Sequence, residues 1–251
     1  LGYHTLLDAL KRGHSVNALA IDDVELGPWY PKEVNVEYGD VFILSEEELK
    51  KRFEGYDAMV YAVGPDDRIT PNAPAYDFFY DRLVSACKKV VIAARKAKMK
   101  RCVILNSYFA YFDRLWPEKK LSQRHPYIRC RVEQAKEVIE AGEDKMSVMI
   151  MELPYIFGAM PNRMPLWKDV MLDKYASGKV IYFPKGGTNM IAAEHVGEAI
   201  VGAIEKGQHG KRYLIGDENH TFNEMLEMMM NAIGENKKIK NIPRFLAMIA
   251  G

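Results

Sequence analysis

The chain has 251 residues, 48% of them hydrophobic and 27% charged, enough for one large core or two lobes. Its 35 basic and 34 acidic side chains leave a net charge of +1, so no field of one sign is present to bind nucleic acid or an anionic membrane. Cys87, Cys102 and Cys130 are too few and too widely spaced for a disulfide framework or a metal motif, no run is long and apolar enough to cross a bilayer, and no signal peptide is evident; buried reduced thiols in a cytoplasmic protein are expected.

Leu6, Leu7 and Leu10 have helical spacing and Gly13 suits a helix end, which predicts a helix from the first residues onward. A strand and a glycine-rich turn ordinarily precede such a helix, so the first strand and the start of that turn are expected to lie outside this sequence. Residues 16–21 read as a strand ending at Asp22 and Asp23, and residues 34–38 as a second, closed by Gly39 and Asp40. Ser45 and Glu48 form a capping box that opens a helix to about residue 53. Residues 57–63 are a near-continuous apolar run that stops at Gly64-Pro65, as suits a strand buried on both faces. A long helix is predicted over 75–97, a strand over 101–106, a loop through Trp116, a helix carrying Tyr127 to about 141, and a strand over 147–153.

Residues 161–187 are irregular and rich in Pro, Gly and Met. Within them, the segment from Tyr175 to Lys179 spells Tyr-x-x-x-Lys, but Gly178 weakens a helix there, and it reads as a loop entering a strand at 180–183. A helix over 194–205, a strand over 211–215 and a second capping box, Thr221 with Glu224, opening a helix to about 233, complete the pattern. The short apolar run at 245–250 is expected to start a packed helix.

Strands and helices alternating at this rhythm predict an α/β fold: a Rossmann-type doubly wound parallel sheet with a small C-terminal substrate lobe. The sheet domain is assigned to residues 1–157 with 188–208 returning to it, and the lobe to 158–187 and 209–251. Sheets of this build hold a dinucleotide across the carboxyl ends of their strands, with the pyrophosphate on the first helix N-terminus. Gly2 stands at that N-terminus, though a helix-start glycine needs no ligand. Asp40 could accept from an adenine amino group or simply serve its turn. Asp22 and Asp23 follow a strand where an acid would bond a ribose 2′-hydroxyl and repel a 2′-phosphate, which favours NAD over NADP. Ala62, Val63 and Gly64 would let a cofactor approach a bare strand end.

Ser107 ends a predicted strand, and Tyr127 and Arg131 lie one helical turn apart on the next long helix. A hydroxyl, a phenol and a cation so arranged can exchange a proton at a carbonyl or alcohol; the bland alternative is a strand-end serine with a tyrosine and an arginine on an amphipathic helix. The order of these motifs resembles the extended short-chain dehydrogenase/reductase superfamily, in its NAD-dependent epimerase/dehydratase branch. Leu1-Gly2 looks like the end of the family's glycine motif, Gly39-Asp40-Val41 like its adenine-site motif and Tyr61-Ala62-Val63-Gly64 like its fourth strand end. The segment ending in Asn106-Ser107 looks like the catalytic-serine strand, Tyr127 to Arg131 like the Tyr-x-x-x-Lys helix, and Leu153-Pro154 like the start of the passage into the substrate lobe.

The resemblance implies an NAD(P)-dependent oxidoreductase with Ser107, Tyr127 and Arg131 catalytic. It implies cofactor contacts at Gly2, Asp22, Asp40, Val41, Ala62, Val63, Gly64, Tyr127, Arg131 and Pro154, no metal, a small carbonyl, alcohol or sugar substrate, and a homodimer. A sugar-nucleotide epimerase or dehydratase, and a non-catalytic dinucleotide sensor, are the alternatives. The sequence departs from the family pattern at Arg131 (lysine in the family), Leu83 (asparagine), Glu152 (arginine), Tyr155 (asparagine) and His195 (aspartate). A tyrosine with its ordinary pKa near 10 is a poor base at neutral pH, and a cation beside it stabilises the phenolate. Arginine can supply that charge but, unlike lysine, does not release a proton.

Overall fold

A computed structural model describes residues 1–21 and 25–243. Two compact units emerge: Leu1–Leu153 with Glu194–Ile215, and Pro154–Ala193 with the chain from Gly216 onward. Among the described residues no helix is long and apolar enough to cross a membrane.

The first unit alternates helix and strand: α1 (Gly2–Lys11), β1 (Asn17–Ala20), β2 (Asn35–Tyr38), α2 (Glu46–Phe53), β3 (Ala58–Tyr61), α3 (Ala75–Phe79) and α4 (Ala86–Lys96). The turns between the last two, Tyr80–Ser85, widen to π geometry. Then come β4 (Arg101–Ser107), α5 (Tyr108–Leu115), α6 (Leu121–Arg124), α7 (Pro126–Gly142) and β5 (Ser147–Leu153). β1 and β2 pair in parallel, and β4 and β5 form the centre of a second parallel sheet that β3 flanks on one side. After the second unit's first segment, α9 (Ala193–Lys206) and β9 (Arg212–Leu214) return, and β9 closes the other edge of that sheet beside β5.

Strand period decides which side chains face which helices. Cys102, Ile104, Val148 and Ile150 lie in one core with Leu49 of α2, Val90, Val91 and Ala94 of α4, and Ala135 and Val138 of α7. The opposite faces of β5 and β9 offer Met151 and Tyr213 to Ala199 and Ala203 of α9. The sheet is therefore wound on both sides, as expected. Gly197 lets α1 cross α9 closely: a Cβ there would lie 2.7 Å from the carbonyl oxygen of His4. The Ser45–Glu48 capping box forms, with Glu48 also accepting from the Ser45 backbone.

One stretch of this unit differs from its expectation. Residues 108–115 form α5 and not a loop: Ser107 caps it, and Tyr108 packs tilted against Phe112 while Phe112 stacks on Trp116, each pair one turn apart with ring centroids 4.8 Å distant. Such i,i+4 contacts stabilise a helix that aromatic propensity alone disfavours.

The second unit contains β6 (Tyr155–Phe157), the one-turn α8 (Lys174–Ala176) after a π segment at Lys168–Asp173, β7 (Val180–Pro184), β8 (Gly187–Ala192), β10 (Glu218–Thr221), α10 (Phe222–Ala232) and β11 (Lys238–Ile242). β8 pairs with β6 in parallel and with β10 antiparallel, while β11 pairs with β7. Their shared core joins Ile181 and Met190 to Met225, Leu226 and Met230 of α10, which opens on the Thr221–Glu224 box. Tyr175 sits in α8, so the Tyr-x-x-x-Lys of this region is half helical turn and half loop. The unit boundaries fall at 153/154, 193/194 and 215/216, against 157/158, 187/188 and 208/209 read from the sequence. β8 is bonded to β6 and β10 and so belongs with the second unit, whereas β9 is bonded to β5 and belongs with the first. The run at 245–250 lies outside the described residues.

Candidate active site

Ser107 is the last residue of β4 and the N-cap of α5, where its Oγ accepts from the Phe109 N–H at 3.3 Å. It is 7% exposed. The oxygen is thus anchored by one donor, while among the described residues its own proton has no assigned acceptor.

Tyr127 stands in the first turn of α7, directly after Pro126, whose fixed φ starts the helix. The ring is 3% exposed and packs edge-on against Phe79, Phe109 and His125 at centroid distances of 5.5, 6.4 and 6.3 Å. One turn along, the Arg131 Nε–H donates to the Tyr127 hydroxyl at 3.1 Å, and the guanidinium carbon lies 5.1 Å from the ring centroid. Arg131 also donates through Nη1 to the Leu105 carbonyl and to Gln134 Oε1, and through Nη2 to the Pro65 carbonyl, at 3.0–3.2 Å. Among the described residues these bonds leave a single guanidinium N–H over, on Nη2. Phe109 follows Ser107 by two residues and touches the Tyr127 ring, so serine and tyrosine share a neighbour, and Leu105 brings the strand carrying Ser107 onto Arg131.

Sequence reading passed over two residues here. Asn106 is buried and donates through Nδ2 to the Arg131 carbonyl at 2.9 Å and to Gln134 Oε1 at 3.0 Å, while its Oδ1 accepts from the Ser107 N–H at 2.7 Å. Gln134 is 0% exposed. The signal was available: Asn106 is polar inside an apolar strand, and Gln134 shares the face of Tyr127 and Arg131 at i, i+4 and i+7. A second such omission is the ion pair at the end of β5. There the buried Glu152 carboxylate takes two bonds of 2.6 Å from Arg114 of α5. Arg212, on the adjacent strand, has its pKa lowered by burial and by the like charge of Arg114.

The remaining expected residues divide. Gly2 is the first residue of α1, which has no side-chain cap and no acidic residue in its first turn, and a Cβ at Gly2 would meet nothing within 4 Å. Ala62, Val63 and Gly64 are exposed beyond β3. Gly64 has φ +134°, and a Cβ there would lie 2.8 Å from Leu83 Cδ2, so the position requires glycine. Asp40 bonds its own turn, its Oδ1 accepting from the Phe42 N–H at 2.8 Å. Val41 packs in the core beside Leu49, which leaves its backbone for any ligand contact. Asp22 and Asp23 lie outside the described residues, and Pro154 opens the second unit. Cys87 is buried beneath this region, and burial pushes its thiol up to about 12. Among the described residues the buried Tyr61 hydroxyl has no partner, and desolvation raises its pKa.

The family model described as NAD(P)H-binding matches residues 1–151. Solved structures share the fold at low identity. A nucleoside-diphosphate-sugar epimerase from Pseudomonas aeruginosa superposes with a TM-score of 0.76 at 16% identity, covering 100% of this chain and 80% of that one. A UDP-N-acetylglucosamine 4-epimerase from Methanobrevibacter ruminantium M1, in complex with UDP-N-acetylmuramic acid, gives 0.72 at 14%, covering 95% and 81%. MoeE5, in complex with UDP-glucuronic acid and NAD, gives 0.71 at 14%, covering 96% and 81%. No curated protein matches the sequence.

Proposed function

The chain belongs to the NAD(P)H-binding family, and from that premise we propose that it is an NAD(P)-dependent oxidoreductase acting at a carbonyl or secondary alcohol. The observation that carries the reading is the Tyr127 hydroxyl held at 3.1 Å by the Arg131 guanidinium, on a helix bonded to the strand end that bears Ser107.

The residues present fit a dinucleotide. The first turn of α1, which holds no acidic residue of its own and is open in front of Gly2, suits a pyrophosphate, with the Glu194 carboxylate meeting the His4 ring at 3.5 Å in that same turn. The exposed Ala62-Val63-Gly64 segment offers bare backbone and small side chains to the rest of the cofactor. Asp40 and the Val41 backbone would serve the adenine end, and the remaining Nη2 N–H of Arg131 would reach a ribose hydroxyl. Preference for NAD over NADP rests on Asp22. When bound, the nicotinamide ring supplies or accepts the hydride.

The protein's own part is positioning and proton transfer. Ser107 donates a hydrogen bond to the substrate oxygen and polarises the carbon–oxygen bond. Tyr127 gives the proton that completes an alcohol, or takes it when an alcohol is oxidised. Negative charge that develops on the phenolic oxygen faces the guanidinium directly. Because arginine keeps its proton, Tyr127 is recharged by a route that does not pass through Arg131.

Epimerisation of a nucleotide-linked sugar is the second reading, supported by the shared fold with solved sugar epimerases; it uses the same proton transfer at Tyr127. We propose that the chain forms a homodimer, as its family resemblance implies. The test is direct: incubate the chain with NADH and with NADPH against a panel of aldehydes and ketones, and with NAD+ and with NADP+ against secondary alcohols and UDP-sugars, following cofactor absorbance and sugar configuration. Cofactor consumption or epimer formation supports the reading, and binding without turnover across the panel favours a dinucleotide sensor.

A further inference from the structure

We propose that Asn106 and Gln134 are positioning residues that adapt this site to an arginine beside its acid/base tyrosine. The inference rests on the reading of Tyr127 given above.

The Gln134 side chain is wholly buried, and its Oε1 accepts two bonds of 3.0 Å, from Arg131 Nη1 and from Asn106 Nδ2. Asn106 in turn bonds the Arg131 carbonyl and receives the Ser107 N–H. One buried amide pair therefore touches both halves of the site: the backbone of Ser107 on β4, and the backbone and guanidinium of Arg131 on α7. A guanidinium is planar and carries several donors in fixed directions, so buried without matched acceptors it would turn to find them. Here Gln134 Oε1, the Leu105 carbonyl and the Pro65 carbonyl take its terminal nitrogens, and only Nε–H points at the phenol. Removing Gln134 Oε1 frees Nη1 to swing toward another acceptor, which withdraws Nε from Tyr127. An ammonium would need no such cradle, since its donors rotate freely about one point.

The experiment uses the full chain labelled with 13Cζ-tyrosine, the Tyr127 resonance being assigned from Tyr127→Phe. In Gln134→Met, which keeps the volume and loses the acceptor, the Tyr127 resonance is expected to move in the same direction as in Arg131→Met. In Gln134→Glu, which keeps an acceptor, it is expected to stay close to its original position. With an active substrate, Gln134→Met should lower kcat about tenfold or more with KM within about twofold, and the same change in an Arg131→Lys background should cost less than about threefold. A Tyr127 resonance that moves in Arg131→Met but not in Gln134→Met overturns the proposal, as does an equal loss in both backgrounds. If Gln134→Met does not fold, the comparison of Asn106→Asp with Asn106→Ser decides: loss of the amide donor must move the resonance in both. Absence of turnover in the unaltered chain would refute the enzymatic reading alone, because the resonance reports the positioning independently.

Discussion

The Nε–H of Arg131 donates to the hydroxyl of Tyr127 across a single helical turn, at 3.1 Å, and both side chains are buried. The bond belongs to a set: the same guanidinium holds the Leu105 and Pro65 carbonyls and Gln134. A lysine at 131 would keep the charge but reach only part of this set. Arg131→Lys, although it restores the family's usual residue, is therefore expected to destabilise the fold by about 3 kcal/mol, since hydrogen bonds to charged groups contribute about 1.5–3 kcal/mol each. Urea unfolding followed by circular dichroism measures this, and a change under about 0.5 kcal/mol would contradict it.

Arg114 and Glu152 allow a test of charge burial. Glu152 is 0% exposed, whereas the Arg114 side chain is 39% exposed, so the pair is half in water and weaker than a fully buried one. Removing the arginine strands a carboxylate in the core. Arg114→Ala is expected to cost about 2–3 kcal/mol, and Arg114→Leu combined with Glu152→Leu to cost less than Arg114→Leu alone. Chemical denaturation of the three variants checks the order, which would be reversed if the pair were no more than a surface contact.

The two capping boxes predict an acid-side loss of stability. Glu48 accepts from Ser45 and Glu224 from Thr221, and these bonds lower both carboxyl pKa values. A carboxyl whose folded pKa lies below its unfolded one stabilises the fold above the unfolded value near 4.3, and that contribution disappears as pH falls through the folded value. Stability should thus fall between about pH 5 and pH 3, less steeply in Glu48→Gln and Glu224→Gln. Unfolding midpoints across that range measure the slope, and an unchanged slope in the double variant would show the caps to be uncoupled from protonation.

Much of the fold could be read from residue pattern. Apolar runs such as 101–106 and 147–153 are buried on both faces in β4 and β5, and both capping boxes form where Ser45 and Thr221 stand. What escaped the pattern depends on contacts distant in sequence. Tyr155–Phe157 is too short to carry a period, and becomes a strand only because β8 lies beside it. Glu218–Thr221 is polar, and pairs because β8 offers it an edge. At the site, Tyr127 and Arg131 were legible from their spacing, one turn apart on one helix. Gln134 shares their face but its meaning depends on Asn106, 28 residues away on a strand. Asp40, legible as a cofactor contact or a turn residue, bonds its own turn in the structure.

The account's central claim is that Tyr127 exchanges the proton. Its most direct test compares Tyr127→Phe with the unaltered chain, measuring kcat with the best substrate of the carbonyl and UDP-sugar panel beside NAD(P)H binding by fluorescence. The account predicts kcat lower by about a hundredfold or more, as expected for loss of a general acid or base, with cofactor affinity within about threefold because the ring's packing is retained. Turnover within a few-fold of the unaltered chain would contradict it.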